Sequence, residues 1–147
     1  MDAKIICKAI KFDSKDYDDA LNLRDLVLRR PLKLKFDAEE LKKEVDYKHF
    51  GAFADGKLVA TLMLVPVEDR VYKLRQMAVD PEYQGKGIGK TLIAFAEHAA
   101  RAAMAKEIFL HARSEAAPFY IKQRYKIYGE PFYEIGIQHR SLKKAIK

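Results

Sequence analysis

Met77-Ala78-Val79-Asp80-Pro81-Glu82-Tyr83-Gln84-Gly85-Lys86-Gly87-Ile88-Gly89-Lys90-Thr91-Leu92 reads as a buried strand, a proline turn, three alternating glycines and the start of an amphipathic helix. That succession builds a phosphate cradle. Gly85, Gly87 and Gly89 let the backbone turn and aim its N–H groups one way, and the helix from about Lys90 adds the positive end of its dipole. Gly89-Lys90-Thr91 supplies the end of G-x-x-x-x-G-K-[ST], but Gln84 stands where the first glycine belongs, which disfavours a nucleoside triphosphatase. The dinucleotide pattern G-x-G-x-x-G fails too, because these glycines run G-x-G-x-G halfway along the chain. A turn that serves only strand-to-helix packing is the plainer alternative.

Toward the N-terminus, a strand from Val71 to Val79 follows a turn at Glu68 to Arg70. His49 to Ala54 and Lys57 to Val65 flank Asp55-Gly56, the pair a tight hairpin takes for its positive φ angles. Asp37-Ala38-Glu39-Glu40 has capping-box spacing for a short helix. A longer helix from Asp16 buries Leu23, Leu26 and Val27 and stops at Pro31, and Ile5 to Phe12 forms the first strand. Toward the C-terminus, the helix runs to about Lys106 with Leu92, Ala96, Ala99 and Ala103 on one stripe and Glu97, Arg101 and Lys106 on other faces. His98 lies on its surface. A strand at Ile108 to Ala112, a short helix at Ala116 to Arg124, and closing strands at Lys126 to Tyr128 and Gln138 to Leu142 complete the order β-α-α-β-β-β-α-β-α-β-β.

The chain has 147 residues, 49% of them hydrophobic, enough for a single well-cored domain over residues 1–147 and too few for two ordinary ones. Its net charge of +7 is uneven: residues 74 to 147 hold 13 basic and 7 acidic side chains. That bias suits a polyanionic cofactor, and equally a nucleic acid or an acidic acceptor. No arginine-rich run or zinc-ligand spacing favours nucleic acid, and no metal is expected. Cys7 stands alone and reads as a buried small hydrophobe. Leu58 to Val67 is too short to span a bilayer and the N-terminus lacks a signal-type apolar core, so a cytoplasmic protein without membrane partners is expected.

Gln84, Gly87 and Gly89, in register after Met77-Ala78-Val79-Asp80-Pro81, give Q-x-x-G-x-G and resemble motif A of the GNAT N-acetyltransferases, whose element order is the one above. The resemblance implies an α/β (α+β) fold: a mixed, mostly antiparallel, splayed sheet of six or seven strands flanked by about four helices. It implies acetyl-CoA as cosubstrate. Gln84, Gly85, Lys86, Gly87, Ile88, Gly89 and Lys90 would hold its pyrophosphate, Met77, Ala78 and Val79 its pantetheine arm, and Lys122 would add a further contact.

Ala116, Tyr120 and Tyr125 match the family's later motif, A-x-x-x-Y-x-x-x-G-[FY], with Arg124 in place of the glycine and Arg113 where many members carry Asn. Tyr120 stands where the family's general-acid tyrosine stands; a core aromatic beside Phe119 is the alternative. With a phenol near pKa 10 and a thiol near 8.5, full proton transfer to the departing sulfur is uphill by roughly 2 kcal/mol, so hydrogen bonding is the economical role. Many relatives carry a carboxylate base on the fourth strand. Lys73, Arg75 and Gln76 are here instead, leaving Glu115, His111, Glu134, His139 or a water chain as candidate bases, each side chain with an ordinary structural reading as well.

Gly129-Glu130-Pro131-Phe132-Tyr133-Glu134-Ile135-Gly136-Ile137-Gln138-His139 is similar to the G-x-x-F-x-E-x-G-I-x-H ending of the ElaA-like members, with Gln138 replacing their proline, and Asp46 and His49 resemble an acid and histidine of that group. On this reading the Glu134 to His139 segment walls the acceptor pocket, across from the helices at Asp16 to Arg30 and Asp37 to Val45. Glu134 attracts a cationic amine and His139 accepts its proton. The expected activity is direct transfer of acetyl to a small-molecule or peptide amine through a ternary complex, with no nucleic-acid partner expected and a homodimer as the candidate assembly. The rivals are a CoA-sensing domain without turnover and a basic nucleic-acid-binding module.

Overall fold

The computed structural model describes residues 4–146. In chain order the elements are β1 (Ile5–Ile10), α1 (Lys15–Arg24), α2 (Ala38–Lys43), β2 (Lys48–Ala54), β3 (Lys57–Glu68), β4 (Val71–Val79), α3 (Ile88–Ala102), β5 (Glu107–Arg113), α4 (Ala117–Lys122), β6 (Lys126–Glu134) and β7 (Ile137–Ala145). The strands form one mixed sheet in the order β1-β2-β3-β4-β5-β7-β6. The expected element order and fold class therefore hold. Asp55 (φ 49°) and Gly56 (φ 86°) close the β2–β3 turn as their chemistry demands. The β4–β5 ladder is parallel, Val71–Lys73 against Glu107–Phe109, because α3 carries the chain across between them. The ladders β1–β2, β2–β3, β5–β7 and β6–β7 are antiparallel.

The chain divides into two compact units: residues up to Val65 with Gln76–Ala96, and Pro66–Arg75 with Glu97 onward. In the first, Ile10, Tyr17, Ala20, Leu23, Phe53, Leu58 and Ala78 form a core cluster. Gly51 sits close beneath it: a Cβ there would stand 2.7 Å from both Ile10 Cδ1 and Leu58 Cδ1, so those side-chain ends would have to shift. Beside the cluster lies a buried ion pair. Arg24 donates twice to Glu44, at 2.7 and 2.8 Å, Tyr17 Oη donates to the same carboxylate at 2.9 Å, and His49 Nε2 donates to the Glu44 carbonyl at 2.8 Å. Burial alone would raise the Glu44 carboxyl, but Arg24, Tyr17 and His49 outweigh it and hold it below its ordinary value. In the second unit Ile108, Leu110 and Ala112 alternate inward along β5, with Tyr125, Leu142 and Ile146 also buried.

Several elements differ from expectation for identifiable reasons. The first strand ends at Ile10. The first helix passes at Asp25–Arg29 into a π turn and at Arg30–Leu32 into a 3-10 turn holding Pro31. The wider turn shifts the helical phase, so Leu26 is exposed rather than buried. Helix α3 begins at Ile88 and ends at Ala102; Ala103 is exposed, and Glu97 faces the core. Cys7 is only half-buried, which still pushes its thiol up. Strands β6 and β7 run to a two-residue turn at Ile135 (φ 53°) and Gly136 (φ 71°). Their ladder shifts register between Tyr128 and Phe132, where Gly129 and Pro131 interrupt the pattern. No helix among the described residues is long and apolar enough to cross a membrane.

Candidate active site

The glycine loop lies within the first unit. Gln76, in the middle of β4, has φ 55°, so the strand is bent just before Met77, Ala78 and Val79. Ala78 is buried, while Met77 and Val79 are half-buried. Asp80 caps the turn at Pro81–Tyr83 by accepting from Glu82 N, and its own N–H donates to Val59 O at 2.8 Å. Gln84 Nε2 donates back to Val79 O at 3.1 Å, which ties the loop to the strand end.

Gly85 (φ 78°) and Gly87 (φ 79°) then occupy left-handed backbone, and a Cβ on either would meet nothing within 4 Å. Space therefore lies open directly above the backbone. Gly89 differs from expectation: it is a buried residue of α3 and turns nothing. The first helical bond runs from Thr91 N to Gly87 O at 3.1 Å, and Thr91 Oγ1 donates to the same carbonyl at 3.0 Å. The N–H groups of Ile88, Gly89 and Lys90 precede that bond and have no backbone partner among the described residues. Lys86 and Lys90 are exposed, with Lys86 Nζ 5.4 Å from the Tyr83 ring centroid. Open space, unpaired N–H groups and two lysines fit a diphosphate.

The second unit holds the other candidates. Tyr120, on α4, is 9% exposed and packs edge-on against Phe119 at 5.0 Å and Tyr125 at 6.2 Å. Burial pushes its phenol up to about 12. Its hydroxyl has no hydrogen-bond partner among the described residues. Arg124, in place of the motif's glycine, has φ 73° and closes the helix with its N–H on Ile121 O at 2.9 Å. Lys122 is exposed on the last turn of α4.

Cross-strand register gathers the base candidates. His111 on β5 and His139 on β7 are diagonal neighbours on one face, since His111 pairs with Ser141 and Arg113 with His139. Phe132, paired with His139, stands between them at 5.0 Å from the His111 ring and 5.7 Å from the His139 ring. His139 Nδ1 lies 2.7 Å from Ile137 O; a carbonyl only accepts, so Nδ1 donates. The other ring nitrogen, Nε2, lies 3.7 Å from Glu134 Oε2. His111 is held below its ordinary value by burial first and by Lys73 next, with Glu134 opposing.

Glu115 is exposed beside Arg113, and His98 is exposed on α3. Asp46 is also exposed, and His49 belongs to the buried Glu44 network. Sequence reasoning missed two features. Glu97 is buried and accepts from Tyr125 Oη at 2.9 Å and Lys144 Nζ at 2.8 Å, partners distant in sequence. The bend at Gln76 carries no glycine to announce it. No group of metal-ligating side chains occurs among the described residues.

One seven-stranded mixed sheet therefore carries a glycine loop at the start of its longest described helix, α3. Residues 17–124 match the profile of the acetyltransferase (GNAT) family. The chain is 30% identical over 130 residues to the uncharacterized N-acetyltransferase YitI of Bacillus subtilis, covering 82% of this chain and 85% of that one. This chain belongs to the GNAT acetyltransferase family. Solved structures share its fold. A Lactobacillus plantarum protein assigned to the N-acetyltransferases superposes at TM-score 0.84 with 23% identity, all of both chains covered. An aminoglycoside 6'-N-acetyltransferase in complex with coenzyme A gives 0.80 and 17%, covering 97% of each chain. ElaA of Escherichia coli gives 0.81 and 18%, covering 96% of this chain and 99% of its own, a likeness of fold.

Proposed function

We propose that the whole chain acts as one cytoplasmic transferase domain, moving acetyl directly from acetyl-CoA to a primary amine through a ternary complex. The observation that carries this reading is the left-handed Gly85 and Gly87 backbone, open above and ending on the unpaired N–H groups of α3. The fold neighbour in complex with coenzyme A supports the same ligand for this loop. Backbone N–H groups near Met77 to Val79 would meet the charge on the thioester oxygen. Tyr120, kept protonated by burial, would donate a hydrogen bond to the departing sulfur. With its phenol at about 12 against a thiol near 8.5, full transfer is uphill by roughly 5 kcal/mol, so the sulfur's proton comes from the amine. The His139 Nε2 lone pair would take the ammonium proton, and Glu134 would hold the cation before attack and stabilise the imidazolium after it.

Gly87→Asp tests the ligand assignment, since it puts a side chain and a negative charge into the open space over the loop. Calorimetry on the folded variant should show CoA affinity at least about tenfold weaker, with acetylation lost in parallel. Unchanged CoA affinity would overturn the assignment.

A further inference from the structure

Resting on the acetyltransferase reading, we propose that the acceptor is an amine that carries its own carboxylate, of the amino-acid class, with Lys73 and Arg75 receiving the carboxylate while Glu134 holds the ammonium. Lys73 pairs with Phe109 in the β4–β5 ladder, and His111 follows two residues along the same face of β5. The Phe109 and His111 rings are 6.0 Å apart, and Phe132 and His139 continue the row. Arg75 lies two residues beyond Lys73 on β4. These groups feel one another: Arg75 pushes Lys73 down and Glu134 pulls it up, after the larger effect of burial.

The balance of charge selects the substrate. Lys73, Arg75 and Glu134 all act on His111, Arg113 opposite His139 already lies 3.9 Å from Glu115, and neither Lys73 nor Arg75 has an ion-pair partner among the described residues. Half-buried cations outside ion-pair distance of any carboxylate among the described residues favour an incoming anion. A polyamine or an aminoglycoside would instead press additional positive charge against both. A zwitterion answers both signs at once, its ammonium toward Glu134 and its carboxylate toward β4. The fold's usual β4 carboxylate base would conflict with such a ligand; Lys73 and Arg75 in its stead leave the proton to a histidine.

The test uses the intact protein at saturating acetyl-CoA with α-amino acids, dipeptides, their carboxamides, the matching decarboxylated amines and spermidine. The acid-bearing amines should exceed their carboxamide and decarboxylated counterparts by at least tenfold in kcat/KM. Lys73→Met and Arg75→Gln, each retaining the side-chain stem, should raise KM for the acids ten- to a hundredfold. They should not raise KM for the decarboxylated amines, from which they remove a repelling charge, and calorimetric CoA affinity should stay as it is. Turnover confined to amines lacking a carboxylate, or a loss of CoA affinity in place of a KM effect, would overturn the acceptor assignment alone. Failure to acetylate any amine with CoA still bound would overturn the acetyltransferase reading and this proposal with it.

Discussion

Tyr120 separates packing from chemistry because its hydroxyl makes no hydrogen bond among the described residues while its ring is buried against Phe119 and Tyr125. Tyr120→Phe keeps the ring and removes only the donor. Stability should change by less than about 0.5 kcal/mol, whereas turnover should fall about ten- to a thousandfold at little cost in CoA affinity. Wild-type turnover would leave Tyr120 as a core aromatic. Arg124 makes the opposite case. A non-glycine residue at φ 73° costs roughly 1–2 kcal/mol, and glycine returns part of that gain as extra freedom of the unfolded chain. Arg124→Gly should therefore raise stability by about 1 kcal/mol, read as a higher urea midpoint at unchanged slope. No rise would mean that the exposed Arg124 side chain offsets the strain.

At the scale of elements, what the sequence discloses depends on how local the cause is. The Asp55-Gly56 hairpin and the Gly85 and Gly87 loop are legible because each rests on the φ angles of one or two residues. The phase of α1 beyond Arg24 is not, because a π turn inserts there without a marker residue. The burial of Glu97 is not legible either: Tyr125 and Lys144 lie 28 and 47 residues away, and only the folded chain brings them to it. The β6–β7 hairpin extends beyond the expected Lys126–Tyr128 and Gln138–Leu142, passing through Gly129 and Pro131, residues depleted in strands. Its extension matters for function, since Glu134 and His139 sit on paired strands beside the Ile135-Gly136 turn rather than on a free loop. Glu134→Gln and His139→Ala should each lower kcat/KM by about ten- to a hundredfold with CoA affinity intact. Unaltered kinetics in both would return the hairpin to a purely structural role and shift the search for the base to His111, Glu115 or water.

Over the whole molecule, the Glu44 network should set the response to acid. Glu44 is depressed in the fold, so the stability it contributes is present above its unfolded value of about 4.3 and is lost as pH falls through the folded value. His49 is lowered by burial, with Glu44 opposing, so its contribution is present above about 6.5 and is lost as pH falls below that. In both cases the unfolded chain binds more protons in acid. Stability should thus decline from about pH 6.5 downward, and His49→Gln should flatten the upper part of that decline. The network lies in the first compact unit, but β3 and β4 each run through both units, so melting one severs strands that the other needs. We expect one cooperative transition. Hydrogen exchange can decide this, because amides of Leu62 on β3 and Leu110 on β5, both buried, report on different units. Protection at the two should fall together between pH 7 and pH 4. Loss at Leu62 with Leu110 still protected would mean two folding units, and the proposal of a single domain would fail.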